Sequence, residues 1–476
     1  MQTASRYHCF QLISLGFLAL LFIAGCKQPA PAPPAATEEP LRVIVVDDAP
    51  LAKTLAREWL AHTESQLDVV EVTADKAAHA QQLPADVVIY PPVLIGSLAD
   101  ADLLLPLDED SLGGPEYARD DIYPHIRSQL LTWGKRTVAV PLGSPQFVLL
   151  FRADLLAKQK LRPPETWAEY QKVADAFRMK PVEVTADDQA WQATAEPLAA
   201  GSGGELLLAR AAASAVHRDQ LSPLMSLDSL EPLIAGPPFV RALEALVASQ
   251  PADRKEQKLL TPADCYAKFQ AGECVLAITW PTMFAQPPAT MLRPEQIGLS
   301  LLPGSSEVFN PAAKQWEAIA AADSAHVPFL NSAGRVASVS RASAQPRVAT
   351  QFLLWLSGPK LSGRIASHSA TTVPFRTSHF QNANTWQPPT PVALLAQYGE
   401  LITTTQENPR RLVSPRIPGS MQYLAALDQA VASAVSQEKS AADALTSAAE
   451  EWNKITETLG RSKQQRALRR SLGLID

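Results

Sequence analysis

One cysteine near the start of the chain has a recognisable chemistry. Cys26 closes the sequence Ile-Ala-Gly-Cys at residues 23–26, a lipobox pattern in which small residues precede a cysteine whose thiol carries a diacylglycerol. Arg6 precedes an apolar run at residues 12–24, which is shorter than the roughly 20 residues needed to span a bilayer. The pattern predicts a signal peptide over residues 1–25 and a mature chain anchored to a membrane by lipid on Cys26, in the periplasm or at the cell surface. A lone N-terminal membrane helix is the alternative.

Two further cysteines, Cys265 and Cys274, remain in the mature chain, because Cys9 leaves with the signal peptide. An even pair in an oxidising compartment favours a disulfide, which over so short a loop would stabilise the fold by about 2–3 kcal/mol. Two buried free thiols are the alternative. No histidine or third cysteine lies near either residue, and the eight histidines of the chain lack metal-binding spacing. We therefore expect a disulfide between Cys265 and Cys274, no metal site and no cofactor.

The chain has none of the short motifs of common catalysts. It has no Gly-x-Ser-x-Gly, no His-Glu-x-x-His, no phosphate-binding loop and no Gly-x-Gly-x-x-Gly, so we expect a protein that is not an enzyme.

The net charge of the chain is −6, and it becomes −7 without residues 1–25, because Arg6 is their one charged side chain. This balance provides no basic surface for nucleic acid, and we expect no nucleic-acid partner.

Hydrophobic patterning indicates an α/β scaffold. Residues 26–40 are rich in proline and alanine, which predicts a semi-rigid tether. The β-branched run at residues 41–46 predicts a buried parallel strand, and residues 51–62 have the spacing of an amphipathic helix. Two more strands, at residues 67–72 and 86–90, continue the alternation. This order is typical of α/β proteins with a parallel sheet.

Several later segments together carry a family resemblance. In order and spacing they resemble the family-1 extracellular solute-binding proteins of ABC importers, relatives of the maltose-binding protein. Phe151 and Arg152 depart mildly from this pattern, since the family prefers a tyrosine there. The matching segments are Ala-Val-Pro-Leu-Gly at 139–143, Leu-Leu-Phe-Arg-Ala-Asp-Leu-Leu at 149–156, Pro-Pro-Glu-Thr-Trp-Ala-Glu-Tyr at 163–170, Phe-Gln-Ala-Gly-Glu-Cys-Val-Leu-Ala-Ile at 269–278, Gly-Leu-Ser-Leu-Leu-Pro-Gly at 298–304 and Ala-Gly-Arg-Val-Ala-Ser-Val-Ser at 333–340.

The resemblance implies a two-lobed α/β fold of the periplasmic-binding-protein type II class, with hinge strands and an interlobe cleft. Lobe 1 would comprise residues 41–148 and 304–365, and lobe 2 residues 149–303 and 366–476, with approximate boundaries. Open α/β sheets bind ligands at the carboxyl ends of their parallel strands, so the ligand is expected in the cleft. Closure of the hinge around the ligand is the implied mechanism.

Residues at strand ends and at the hinge are the candidates for ligand contact. Trp280 follows a strand at residues 275–279, where the resemblance places an aromatic ring that stacks on a sugar; packing in the core is the alternative. A structural role, such as helix capping by Asp48, is the alternative for each of the other candidates. These are Asp47, Asp48, Tyr90, Gly143, Ser144, Gly334 and Tyr423.

The sequence thus predicts a lipid-anchored, extracytoplasmic binding protein. It would capture a small-molecule ligand, a sugar or oligosaccharide, and deliver it to the permease subunits of an ABC importer. A secreted lipoprotein enzyme, for example a glycosidase with two carboxylates, is one alternative. A lipoprotein of the same fold that has lost its ligand and serves as an interaction protein is the other.

Overall fold

The computed structural model describes residues 39–182, 184, 190–251, 259–282, 291–319, 325–366, 368–382, 392–406 and 408–476. The predicted signal peptide, the lipidation site Cys26 and nearly all of the predicted tether lie outside these residues. Within the described part of the chain, no helix combines the length and the apolar character that crossing a bilayer requires.

The described residues contain fifteen strands, which form two main sheets and three two-stranded sheets. In chain order they are β1 (Leu41–Val46), β2 (Leu67–Val72), β3 (Val87–Tyr90), β4 (Thr132–Trp133), β5 (Arg136–Thr137), β6 (Val140–Gly143), β7 (Val148–Arg152), β8 (Gln192–Ala195), β9 (Cys274–Thr279), β10 (Ile297–Ser300), β11 (Glu307–Asn310), β12 (Gln315–Ala318), β13 (Phe329–Leu330), β14 (Arg335–Val339) and β15 (Leu412–Val413).

The first sheet has the order β2-β1-β3-β14-β6. Strand β1, between β2 and β3, is rich in β-branched residues and mostly buried. It pairs in parallel with both neighbours, so that Val43 faces Val69 on one side and Val87 on the other. Strand β14, from much later in the chain, runs antiparallel to β3 and β6. The predicted parallel start is therefore confirmed.

The second sheet has the order β10-β7-β9-β8. Strand β9 is buried at every position, pairs in parallel with β8 and runs antiparallel to β7. Strand β10 closes the other edge, antiparallel to β7. With the first sheet, this gives the predicted two-lobed α/β fold.

Helices cover both sheets. Helices α10 and α11 pack against β6 of the first sheet, whereas α7, α8, α14 and α15 pack against one another, and α16 contacts α3 and β4. In chain order they are α1 (Ala49–Thr63), α2 (Ala74–Ala78), α3 (Ile95–Asp100), α4 (Glu109–Leu112), α5 (Ala153–Lys158), α6 (Trp167–Ala176), α7 (Gly203–Ala215), α8 (Pro237–Ser249), α9 (Pro262–Gln270), α10 (Pro346–Ser357), α11 (Pro359–Ala366), α12 (Thr377–Gln381), α13 (Val392–Thr404), α14 (Ser420–Val435), α15 (Ala441–Leu459) and α16 (Arg461–Ser471).

The chain passes from the first sheet to the second between Gly143 and Val148, and the backbone there leaves no room for larger residues. A Cβ atom on Gly143 would lie 2.2 Å from the carbonyl oxygen of Thr371. Gly334 has a φ of +104°, a conformation that side chains disfavour, and a Cβ there would lie 2.3 Å from the carbonyl oxygen of Gly143. Both glycines were predicted as ligand contacts. They allow the backbone at Gly143, Gly334 and Thr371 to approach closely at the crossing.

Candidate functional site

A cavity of about 220 Å³ lies at this crossing. It is bounded by the first turns of α7 and α9, the end of β9, the segment between β13 and β14, and the segment after α11. The described residues that line it are Phe147, Gly201, Ser202, Glu205, Thr261, Pro262, Ala263, Trp280, Thr282, Asn331, Ala333, Ala370 and Thr371.

Two aromatic rings form one wall of the cavity. Strand β9 ends at Thr279, and Trp280 follows directly, so the structure places the sequence-predicted tryptophan at the cavity. Its ring lies 5.2 Å from that of Phe147, at an interplanar angle of 46°. Trp280 is only 6% exposed and belongs to the hydrophobic core, so the alternative of core packing is observed, while its ring also lines the cavity.

A buried carboxylate, Glu205, lies in the first turn of α7. Its Oε1 accepts hydrogen bonds from the backbone N–H of Ser332 (3.0 Å) and from the hydroxyls of Ser332 and Ser414. The side chain is 4% exposed, and burial raises the pKa of Glu205 to about 7, with a smaller contribution from the carboxylate of Asp428.

Among the described residues that line the cavity, three buried polar atoms have no hydrogen-bond partner within the described part of the chain: Oε2 of Glu205, Nε1 of Trp280 and Nδ2 of Asn331. Buried polar groups in proteins are nearly always hydrogen-bonded, because leaving one unpaired costs about 1–3 kcal/mol. One acceptor and two donors therefore remain for a bound molecule to satisfy.

The predicted residue Asp48 supports the cavity wall from behind. Its Oδ1 accepts from the backbone N–H of Leu51 and caps α1, as the alternative interpretation held. Its Oδ2 accepts from the hydroxyls of Ser369 (2.6 Å) and Thr371 (2.9 Å) and lies 3.5 Å from Nε of Arg335. Asp48 thus holds Thr371, which lines the cavity, and does not line it itself.

Asp47 has a local structural role. Its Oδ2 accepts from the backbone N–H of Ala74 at 2.8 Å, and its carbonyl oxygen accepts from Arg335 at 3.1 Å. Ser144 is buried at the crossing but is not among the residues that line the cavity.

The two predicted tyrosines do not reach the cavity. Tyr90 is fully buried in the first sheet, where its hydroxyl lies 2.8 Å from that of Ser338, and burial raises its pKa. Tyr423 is fully buried between α14 and α15, with its hydroxyl 2.9 Å from that of Thr456. Both rings pack in the core instead of facing a ligand.

The predicted disulfide is not formed. Cys265 and Cys274 are free, fully buried thiols in one small apolar cluster around Tyr266 and Phe269. Burial raises the pKa of Cys274 to about 12 and that of Cys265 well above its usual range. The alternative given by the sequence, two buried free thiols, is the one observed.

Sequence reasoning missed Phe147, Glu205, Asn331 and Thr371. A signal for Glu205 was present: it is the one acidic residue in an Ala/Leu-rich segment that follows a glycine-rich turn, and the structure buries every residue of that helix. A carboxylate in such a helix needs a partner or a function.

The described residues provide neither a second carboxylate in the cavity lining nor a metal-binding cluster. Glu205 is the one carboxylate among the described residues that line the cavity. Glycoside hydrolysis ordinarily uses a pair of carboxylates. Among the residues of known position, no group of three or more His, Cys, Asp or Glu side chains could hold a metal ion.

A neighbouring cavity of about 330 Å³ shares Phe147 and is otherwise lined by residues such as Gln146, His326 and Asn408. None of the described polar atoms lining it is both buried and unpaired. The smaller cavity is therefore the better candidate for a specific ligand site.

Comparison with known proteins gives one family and many similar folds. The family described as bacterial extracellular solute-binding protein matches residues 65–361, more than half of the chain. A search of curated proteins found no match.

Solved structures resemble the whole two-lobed chain. An ABC transporter solute-binding protein from Agrobacterium radiobacter K84 in complex with ribitol has a TM-score of 0.64 at 18% identity, over 87% of this chain and 98% of that one. A second, from Agrobacterium vitis S4 with bound D-mannitol, has a TM-score of 0.64 at 17% identity, over 88% and 99%. The sugar-binding protein MalE from Xanthomonas citri has a TM-score of 0.63 at 17% identity, over 88% and 98%. At these identities the likeness establishes the fold.

Proposed function

We propose that this chain, which belongs to the bacterial extracellular solute-binding protein family, captures a small polyhydroxylated solute, a monosaccharide or polyol, and presents it to an ABC importer. The observation that carries the proposal is the set of three buried, unpaired polar atoms on the cavity wall, on Glu205, Trp280 and Asn331. A hydroxyl group both donates and accepts, so a few adjacent hydroxyls can satisfy an acceptor and two donors at once.

The aromatic wall supports the same class of ligand. The C–H face of a sugar packs on an aromatic ring while its hydroxyls hydrogen-bond at the edge, and Trp280 provides a ring together with an unpaired N–H. The volume of about 220 Å³ is below the roughly 300–1,000 Å³ usual for drug-sized ligands. We therefore favour a monosaccharide or polyol over an oligosaccharide.

Hinge closure is the proposed mechanism of capture. Glu205 and Trp280 come from elements around the second sheet, whereas Thr371 is held by Asp48 at the end of β1 in the first sheet. A ligand that touches both sides stabilises the closed arrangement over the open one. The structures with ribitol and D-mannitol show that proteins of this fold bind polyols, which supports the proposal by analogy.

The proposed function also includes a lipid anchor on Cys26 and an ABC importer that receives the solute. Lipid on Cys26 would hold the mature protein at a membrane outside the cytoplasm, beside the permease subunits that receive the solute. In a Cys26→Ser variant, the protein should lose its lipid and appear in the soluble fraction or stay uncleaved. Normal processing together with membrane retention would contradict the anchor.

A ligand panel tests the function. Thermal denaturation of the mature protein should be measured with ribitol, mannitol, common hexoses, maltose and maltotetraose, followed by titration calorimetry of any hit. A ligand at 100 times its Kd stabilises the folded state by about 2.7 kcal/mol, which is readily measured as a higher Tm. We expect a monosaccharide or polyol to raise the Tm and to be recovered unchanged.

Two outcomes would favour the alternatives. Recovery of a hydrolysed product would support the enzyme, although the described cavity lining has a single carboxylate. Failure of every sugar and polyol to raise the Tm would support the interaction protein without a sugar ligand.

A further inference from the structure

A separate cavity of about 390 Å³ lies beside β15 and is lined by basic side chains. Its walls come from the turn of π-helix at Ile126–Leu130, the segment after α7, the segment from residue 409 to 417, the middle of α15 and the end of α16. Ser414, which directly follows β15, lines this cavity and donates to Glu205, which lines the crossing cavity.

The lining of this cavity is basic, whereas the protein as a whole has a net negative charge. The described lining residues include four arginines and one histidine, and no aspartate or glutamate is among them. The chain as a whole has 48 acidic residues against 42 lysines and arginines. His217 lies 3.3 Å from Glu317, and Arg218 lies 3.9 Å from Asp219, so the attraction for an anion rests mainly on the arginines of the segment at residues 410–416. The basic residues are Arg218, Arg410, Arg411, Arg416 and His217.

Arg416 is the most deeply buried of the four arginines, at 5% exposure. Its guanidinium donates to the carbonyl oxygens of Thr132 (3.4 Å) and Ser471 (2.8 Å), and it pairs with no carboxylate in the described ranges. Burial lowers the pKa of Arg416 to about 10, so the side chain remains charged at neutral pH. A buried charge without a counterion is costly, and an anion in the cavity would relieve that cost.

Arg411 is half-buried and similarly placed. It donates to the carbonyl oxygen of Asn408 at 2.7 Å, forms no ion pair with the residues whose positions are known, and has its pKa lowered by burial. Gln129 adds a buried Oε1 without a donor, which the O–H of a monohydrogen phosphate can supply. Guanidinium groups bind oxyanions through two parallel N–H bonds, more strongly than neutral donors do.

We propose that this cavity binds a small polyvalent oxyanion, with Arg411 and Arg416 as the principal contacts. Inorganic phosphate, pyrophosphate and a di- or tricarboxylate share this chemistry. The site is distinct from the crossing cavity, and its occupant is distinct from the neutral solute proposed there.

Calorimetric titration of the mature protein with inorganic phosphate, pyrophosphate and citrate tests the proposal, with sodium chloride at equal ionic strength as the reference. We expect saturable binding of at least one polyvalent anion, together with a higher Tm. Arg411→Gln should weaken this binding about tenfold or more, since a charged hydrogen-bond pair is lost. The matched control is Arg347→Gln, which removes an exposed arginine on α10 and should bind the anion as the parent does.

The expected and opposing outcomes are separable. Arg411→Gln should keep the parental Tm in the absence of anion, because its side chain is half-buried and bonded to one backbone carbonyl. Absence of saturable binding by all three anions at millimolar concentration would overturn the proposal. An equal loss of anion affinity in Arg347→Gln would also overturn the proposal, because anion binding would then depend on the net charge of the protein and not on Arg411. Glu205→Gln should leave anion binding intact, which separates this site from the solute site.

Discussion

The hydroxyl of Ser414 donates a 2.8 Å hydrogen bond to Oε1 of Glu205, joining the segment after β15 to the first turn of α7. Because Ser332 also donates to that oxygen, Oε1 is fully engaged while Oε2 has no partner. One carboxylate thus has one oxygen committed to the fold and one oxygen available to a ligand.

Replacing Glu205 by Gln should weaken binding of the solute identified in the panel by about ten- to a hundredfold. The amide can still accept from Ser332 and Ser414, but it presents an NH₂ group where the free oxygen was, and hydrogen bonds to charged groups contribute about 1.5–3 kcal/mol. Titration calorimetry measures the change. Glu400→Gln, an exposed change on α13, is the control. If Glu205→Gln binds the solute with parental affinity, Glu205 does not contact the solute.

Glu205 should also make folding stability depend on pH. Its pKa is about 7 in the folded chain and about 4.5 in an unfolded one, so between these values the native state holds a proton that the unfolded state has lost. Stability therefore falls as pH rises from about 4.5 to 7, by roughly 3 kcal/mol in all, and the loss is complete above pH 7.

Urea denaturation of the parent and of Glu205→Gln at pH 5 and pH 8 measures this effect. Asp428, whose pKa burial also raises, is common to both proteins, so the difference between them reports Glu205 together with its interaction with Asp428. The variant should gain stability relative to the parent on going from pH 5 to pH 8. A difference that does not change with pH would show that Glu205 ionises as an exposed carboxylate does.

Trp280→Phe should lower solute affinity and leave most of the stability intact. The ring against Phe147 is retained, whereas the unpaired Nε1 donor is lost. Trp280→Ala should in addition destabilise the protein by about 3–5 kcal/mol, because the side chain is part of the core. Melting curves and titrations of both variants separate the two roles, and unchanged affinity in Trp280→Phe would leave only the packing role.

Gly143→Ala should destabilise the crossing and weaken solute binding together. The new Cβ would lie 2.2 Å from the carbonyl oxygen of Thr371 and 2.7 Å from Cα of Thr372, so the segment that lines the cavity must move. Overpacking of this kind costs about 1–3 kcal/mol. Gly113→Ala is the control, because its Cβ would meet nothing closer than 3.4 Å. A Gly143→Ala protein with parental Tm and affinity would contradict this account.

The thiols of Cys265 and Cys274 should be inert in the native protein and reactive after unfolding. Both are fully buried with raised pKa values, so iodoacetamide at pH 8 should label neither until urea is added. Mass spectrometry without reductant reads the labels directly. If both thiols remain unlabelled after unfolding without reductant, the result would instead support the predicted disulfide.

Local sequence patterns predict the α/β class well, because β1 and β9 are apolar runs rich in β-branched residues, whose burial follows from their own composition. Trp280 could be placed at a strand end for the same reason. The division into two lobes follows from the family resemblance. The hydroxyl partner of Tyr90 lies 248 residues away at Ser338, so nothing near Tyr90 shows that it is already satisfied. Glu205 was missed for a related reason: its donors Ser332 and Ser414 are distant in the chain.

Complete burial of α7 has a stereochemical consequence. A carboxylate fixed on such a helix cannot re-aim, and Trp280 and Asn331 are likewise held by a packed surround. The ordering of these groups is completed during folding, so little rotamer entropy is lost at capture. Two epimers that differ in one hydroxyl should then differ widely in affinity, because the wrong epimer leaves a buried group unpaired. We therefore expect the fixed side chains of the cavity to make binding selective between stereoisomers of the same formula.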